Sequence, residues 1–200
     1  NRIGENKMVE FKINGRKVQA EKGETILDVA RREGYEIPTL CYHERLGSDG
    51  RCRLCIVEIQ RGNRRRFVTS CLYPVENSID VVTDSKDVTL IRKTILELLL
   101  ARCPGSETIQ HLAKKYGVSD TRYSKDTDKG KCILCGQCVK TCEFIVGVSA
   151  LCISGKGPAK KVTTPFDEPS DVCIGCGACA VICPTGHIYI EDRGGYRTIW

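Results

Sequence analysis

Fourteen cysteines stand in 200 residues, and their spacing says what chemistry they can do. The thiolate is the metal-ligating form of cysteine. Eight of them fall into two copies of one pattern, C-x2-C-x2-C-x3-C. The first copy is Cys132, Cys135, Cys138 and Cys142; the second is Cys173, Cys176, Cys179 and Cys183, followed by Pro184. Four more, Cys41, Cys52, Cys55 and Cys71, are separated by ten, two and fifteen residues. Disulfide frameworks belong to small secreted chains. The polar start of this chain, Asn1 to Lys7, holds no signal-peptide core. Neighbouring thiols at this spacing converge on one centre more readily than they pair with distant partners, so the pattern points to metal or iron–sulfur binding in a reducing cytoplasm.

Three cysteines at two-residue intervals can wrap a loop around one face of a cubane cluster. The fourth, one helical turn further on, points away, and where two [4Fe–4S] clusters share a chain it ligates the other one. The expected sets are therefore crossed: Cys132, Cys135, Cys138 and Cys183 for the first [4Fe–4S] cluster, Cys173, Cys176, Cys179 and Cys142 for the second. Gly136, Gly175, Gly177 and Ala178 stand between ligands, where small residues let backbone N–H groups approach the sulfurs. Zinc is the competing metal, but it usually takes two C-x2-C pairs or mixes in histidine. The set Cys41, Cys52, Cys55 and Cys71 resembles the plant-type [2Fe–2S] plan, three ligands in one loop and the fourth on a later strand. Its first gap is longer than the plant-type four, and zinc is a closer rival there.

The elements that must hold these loops are legible. Val9, Phe11 and Ile13 alternate with Glu10 and Lys12, and Asn14-Gly15 supplies a hairpin turn before Lys17 to Ala20 returns. Thr25 reads as the N-cap of a helix with Ile26, Leu27, Val29 and Ala30 on its apolar face and Gly34 beyond its end. Residues 41–52 read as loop. Strands are expected at 54–60, 67–72 and 78–83, the first two joined by the polar turn 61–65. A helix follows over 85–102 with Val88, Ile91, Ile95, Leu98 and Leu99 on one face, then a shorter one over 107–116. Residues 118–131 read as a linker. The last third turns to glycine, small residues and cysteine, too poor in large apolar residues to hold a core by itself. The expected fold is α+β: a β-grasp [2Fe–2S] domain at 8–84, a helical connector at 85–130, and a bacterial two-[4Fe–4S] ferredoxin-like domain at 131–200.

The run Ile37-Pro38-Thr39-Leu40-Cys41-Tyr42-His43, then Arg51-Cys52-Arg53-Leu54-Cys55, then Ser70-Cys71-Leu72-Tyr73-Pro74-Val75, resembles the start of the large iron–sulfur subunit of respiratory complex I. It is equally similar to the small diaphorase subunit of NAD-linked hydrogenases and to the N-terminal region of multi-cluster [FeFe]-hydrogenases. Residues 132–142 and 146–151 continue the likeness, which covers the chain from about Glu10 to His187. The resemblance implies an electron relay beside a flavin-bearing, NAD(P)-binding subunit. That family usually carries a further cluster held by one His and three Cys. Here residues 101–107 offer Cys103 alone, no second cysteine comes before Cys132, and His111 stands by itself, so that cluster is expected to be absent. The 200 residues carry no domain for a hydrogen-forming centre or molybdenum cofactor, so such chemistry is expected on a partner.

A formal charge of +6 invites nucleic acid or an anionic membrane as partner. Cofactors change the sum: twelve ligand thiolates bring about −12 and three oxidised cores about +2 each, so the loaded chain is expected near neutral. Arg61, Arg64, Arg65 and Arg66 remain as a basic hairpin tip, read as a solvated turn or a docking point for an acidic surface. No aromatic interleaving suggests base stacking, and no apolar run approaches the roughly 18 residues of a membrane span. Cys103 and Cys152 are expected as buried thiols, His43 as a loop hydrogen-bonder and His187 as a surface residue. No Ser–His–Asp set, P-loop or GxGxxG occurs. The expectation is a non-catalytic, cytoplasmic electron-transfer subunit with one [2Fe–2S] and two [4Fe–4S] clusters. It would work between a flavin/NAD(P)-binding subunit and another redox subunit of a hydrogenase, formate dehydrogenase or electron-bifurcating complex. The alternatives are a free-standing ferredoxin-like carrier and a zinc-stabilised interaction module.

Overall fold

The structure, a computed structural model, describes residues 8–126, 130–193 and 196–199. It divides into two compact units, one of residues up to Leu40 with Cys52–Ile95, the other of Cys41–Arg51 with residues from Leu96 on.

In the first unit, β1 (Met8–Ile13) and β2 (Arg16–Glu21) pair antiparallel with Phe11 opposite Val18. The alternation does what it predicts: Phe11, Ile13, Val18 and Ala20 are buried while Lys12, Lys17 and Gln19 face out. Asn14 and Gly15, at φ 50° and 82°, make the turn. α1 (Ile26–Arg32) begins with a capping box: the Asp28 N–H donates to the Thr25 hydroxyl, and the Thr25 N–H donates back to the Asp28 carboxylate. Ile26, Leu27, Val29 and Ala30 are fully buried. The loop that follows holds a two-residue ladder, β3 (Tyr42–His43) with β4 (Gly47–Ser48), where plain loop was expected; it belongs to the second unit.

β5 (Ile56–Arg61) and β6 (Arg64–Thr69) form another hairpin, and β7 (Asp80–Val82) lies between it and the first. The five-stranded sheet has the order β2-β1-β7-β5-β6, with β1 parallel to β7 and the other neighbours antiparallel. This is the five-strand, one-helix plan expected of a β-grasp domain. The second hairpin is tighter than expected, because the ladder runs on through Gln60–Arg65 and Arg61–Arg64 pairs and leaves only Gly62 and Asn63 as the turn. Arg65 is exposed, as expected, but stands in β6 rather than in the turn and is paired. It donates to both oxygens of buried Glu58, at 2.5 and 2.8 Å, pairs with Asp87, and covers the Phe67 ring.

α2 (Lys86–Arg102) buries Val88, Arg92, Leu96 and Leu100, a row at four-residue spacing, whereas Leu98 is 49% exposed. The apolar pattern pointed to a different face because the buried row contains an arginine. In the second unit α3 (Glu107–Lys115) buries Ile109 and Ala113 and ends before Gly117. The expected linker carries no helix or strand over 118–126, but the Asp126 N–H is bound to the Ala101 carbonyl at 2.6 Å. α4 (Gln137–Lys140) runs into a π-helical turn, Thr141–Val146. Beyond it β8 (Cys152–Ser154) pairs with β9 (Lys161–Thr163), α5 (Ala178–Val181) follows, and β10 (Ile190–Arg193) pairs with β11 (Tyr196–Ile199). The large apolar side chains here lie mostly at the surface; Phe144, Ile145, Phe166, Val172, Ile174 and Val181 are all more than half exposed. No described helix is long and apolar enough to cross a membrane.

Candidate metal centres

The two cysteine repeats are repeats in backbone as well as in sequence. In the first copy Leu134 and Gly136 take positive φ, 56° and 78°; in the second Gly175 and Gly177 do so, 66° and 75°. The left-handed residue before the second cysteine and the one after it reverse the chain twice. Gly136 and Gly177 then serve as N-caps of α4 and α5. Only glycine adopts this conformation without steric cost, and Leu134 is the one position of the four that does not use it.

Two cavities in the second unit sort the eight cysteines. One is lined by Cys132, Cys135, Cys138 and Cys183, with Gly136, Thr185 and His187 among the other walls. The other, of about 120 Å³, is lined by Cys142, Cys173, Cys176 and Cys179, with Gly177 and Ala150. In each, three cysteines come from one repeat and the fourth from the other. Backbone donors already address the sulfurs: Leu134 N–H to Cys132 Sγ at 3.4 Å, Ala150 N–H to Cys142 Sγ at 3.2 Å, and His187 N–H to Cys183 Sγ at 3.3 Å. Burial pushes the thiols of Cys135 and Cys138 up to about 11 and about 12, with nearby thiols adding to it. Burial also raises Cys132 and Cys179. Cys183 goes the other way. Burial pushes it up, but donors from Ile188, Thr185 and His187 together outweigh that and hold it below the ordinary thiol range. Among the described residues no three His, Cys, Asp or Glu side chains converge on a point as one ion would require. The cavity at Cys132, Cys135, Cys138 and Cys183 is nearly closed, at about 10 Å³, against about 120 Å³ for the other.

Of the N-terminal four, Cys52, Cys55 and Cys71 belong to the first unit and Cys41 to the second; all are buried. In the first unit Cys55 Sγ lies 3.1 Å from Cys71 Sγ, and this contact together with burial pushes the Cys55 thiol far up. The Cys55 carbonyl accepts the N–H and hydroxyl of Ser70 at 3.0 and 2.8 Å. Within the second unit Cys41 Sγ is 3.6 Å from Ser48 Oγ. Its carbonyl accepts from Gln137 Nε2 at 2.6 Å, and Lys140 pairs with Asp49 at 2.5 Å, so α4 grips the Cys41 loop. Gln137 is 3% exposed and sits between Cys135 and Cys138. Nothing in the sequence marks Gln137, Ser70 or Arg92, since a polar residue's type does not announce burial.

Cys103 is fully buried, its thiol pushed up to about 12 by that burial; Cys152 is half-buried. No disulfide joins any of the fourteen cysteines. His43 accepts the Arg45 N–H at 3.3 Å, as a loop hydrogen-bonder would. His187 is not a surface residue: it is half-buried, and its Nδ1 accepts the Lys131 N–H at 3.3 Å.

Residues 6–86 match the family described as 2Fe-2S iron-sulfur cluster binding domain, and residues 131–187 match the 4Fe-4S dicluster domain. The chain is 34% identical over 202 residues to the NADPH-Fe(3+) oxidoreductase subunit alpha of Geobacter sulfurreducens, covering 90% of this chain and 24% of that protein. It is 33% identical over 219 residues to the NADP-reducing hydrogenase subunit HndD of Solidesulfovibrio fructosivorans, covering 92% of this chain and 37% of that one. The chain thus spans only about a quarter to a third of these curated relatives. Among solved structures, a chain of NAD+-reducing [NiFe]-hydrogenase in the H2-reduced state superposes with a TM-score of 0.78 at 30% identity, covering 90% of this chain and 86% of that chain.

Proposed function

The chain belongs to the family of iron–sulfur electron-transfer subunits of NAD(P)-linked oxidoreductases, a 2Fe-2S cluster binding domain followed by a 4Fe-4S dicluster domain, and from that premise we propose that it relays single electrons through three clusters. The proposed ligands are Cys41, Cys52, Cys55 and Cys71 for one [2Fe–2S] cluster, Cys132, Cys135, Cys138 and Cys183 for one [4Fe–4S], and Cys142, Cys173, Cys176 and Cys179 for the other. The observation that carries the reading is the pair of cavities, each lined by three cysteines of one repeat and the last of the other. The proposed division of labour is 8–84 for the [2Fe–2S] part, 85–130 as connector and 131–200 for the two [4Fe–4S] clusters.

When bound, such clusters supply one-electron redox chemistry. The polypeptide supplies the rest. The left-handed residues beside Cys135 and Cys176 fold the ligand loops back so that three sulfurs face one volume. The N–H groups of Leu134, Ala150 and His187 place positive dipole ends at the sulfurs, which favours the charged thiolate and the reduced state. Burial of Cys52, Cys55 and Cys71 keeps water from the first unit's sulfurs.

The partners proposed are a flavin- and NAD(P)-binding subunit on one side and a further redox subunit on the other, in a hydrogenase, formate dehydrogenase or electron-bifurcating assembly. Nucleic acid and membrane insertion have no part in the proposal. The cysteine usage favours the reducing cytoplasm. The test is recovery of the chain at native abundance, with metal and flavin analysis of what accompanies it. The proposal expects an iron-rich complex containing a flavoprotein, and no reduction of dyes by NADH or NADPH from the isolated chain. Stable recovery as a lone monomer would instead favour a free-standing carrier.

A further inference from the structure

The buried row of α2 is Val88, Arg92, Leu96 and Leu100, and the arginine in it is 2% exposed. Burying a guanidinium is costly unless hydrogen bonds and opposite charge offset it. Arg92 Nε donates to the Leu54 carbonyl at 3.1 Å, and its Nη2 donates to the Ile56 carbonyl at 2.7 Å. These two carbonyls bracket Cys55. The carbonyl between them, that of Cys55 itself, is held by Ser70, which precedes Cys71. Three consecutive carbonyls are therefore fixed, two of them by one guanidinium, directly after Arg53 enters the turn at φ 61°. The forked donor geometry suits two carbonyls one residue apart on either side of a ligand, and lysine could not reproduce it. Fixing the backbone, however, calls only for donors. A permanent positive charge on the carbonyls that flank Cys55 does something more: in a poorly screened interior its field favours whichever state of a nearby thiolate centre is the more negative.

We propose that Arg92 is a positioning residue for Cys55 and that its buried charge raises the reduction potential of the centre which Cys52, Cys55 and Cys71 help to hold. The proposal rests on the iron–sulfur reading of those cysteines. Four thiolates around an oxidised [2Fe–2S] core carry a net charge of about −2, and gain of one electron makes it about −3 with no bond made or broken. The added electron is therefore the species Arg92 stabilises.

The experiment is an EPR-monitored redox titration of the [2Fe–2S] signal in the anaerobically purified full chain, wild type against Arg92→Met, Arg92→Gln and Arg92→Lys. In the two neutral variants reduction becomes about tenfold or more less favourable, a midpoint lower by about 59 mV or more for one electron. Arg92→Lys keeps most of the wild-type midpoint but shifts the g-values, because a compact ammonium cannot reproduce the planar fork that spans the two carbonyls. Unchanged midpoints in the neutral variants, with the signal intact, overturn the proposal. So does a lysine variant that falls as far as methionine, since geometry alone would then explain the effect. Where Arg92→Met does not retain the signal, Arg92→Gln, which keeps a carbonyl donor, decides the question. A wild-type chain with no [2Fe–2S] signal contradicts the iron–sulfur reading instead.

Discussion

Glu58 is a carboxylate only 3% exposed, and its neighbours explain why it stays ionised. The Arg65 guanidinium beside it holds its carboxyl down at about 2; burial pushes the other way, while Ser85 and Gln60 add donors. A carboxyl depressed in the folded state contributes stability that is complete above its unfolded value of about 4.3 and is lost as pH falls through about 2. Urea unfolding of the first unit should therefore weaken between about pH 5 and pH 2, and Glu58→Gln should flatten that slope while costing about 1.5–3 kcal/mol at neutral pH. An unchanged slope in the variant would rule Glu58 out as its source. Cys183→Ala addresses the crossed ligand sets. EPR of the reduced variant should show the centre of Cys132, Cys135 and Cys138 damaged and that of Cys173, Cys176 and Cys179 retained; loss of the latter alone would contradict crossing. At this scale the sequence disclosed the cysteines, because their chemistry demands a spacing. It hid Arg92, Ser70 and Gln137, whose value lies in which carbonyls they meet after folding.

Among the elements, the ligand turns carry the sharpest prediction. Gly175 and Gly177 share the left-handed conformation, but a Cβ on Gly175 would meet open space, whereas one on Gly177 would lie 2.5 Å from Ile190 Cδ1. Gly175→Ala should cost the backbone penalty of about 1–2 kcal/mol; Gly177→Ala should cost that and a steric clash besides. Thermal unfolding and iron content of the two variants should rank Gly177→Ala as the worse, and equal losses would show that Ile190 gives way freely. Alternation and capping made β1, β2 and α1 readable to within a residue or two. The four arginines of the β5 and β6 hairpin face solvent as composition suggests, but the turn is shorter than it suggests, because the ladder runs on through them and Glu58 and Asp87 anchor Arg65. The short strands after Cys142 had no such signature; they are three or four residues long and too brief for a period to register.

For the molecule as a whole, the last third owns few large apolar side chains and leaves most of them at the surface, so hydrophobic burial is a weak account of its order. Metal–thiolate bonds are the physical alternative, and binding free energy then becomes folding free energy. Anaerobic treatment with a strong iron chelator should accordingly unfold residues 131–193 before the first unit's sheet, seen as early loss of hydrogen-exchange protection there; simultaneous loss everywhere would argue against that dependence. With the three proposed clusters the charge reading changes too: twelve thiolates and three cores would bring a chain formally at +6 close to neutrality. The most direct test of the whole account is the inorganic inventory of the anaerobically purified chain. Three clusters require about ten iron atoms and about ten acid-labile sulfides per polypeptide, in a brown protein; a colourless protein holding zinc, or neither iron nor sulfide, would contradict it.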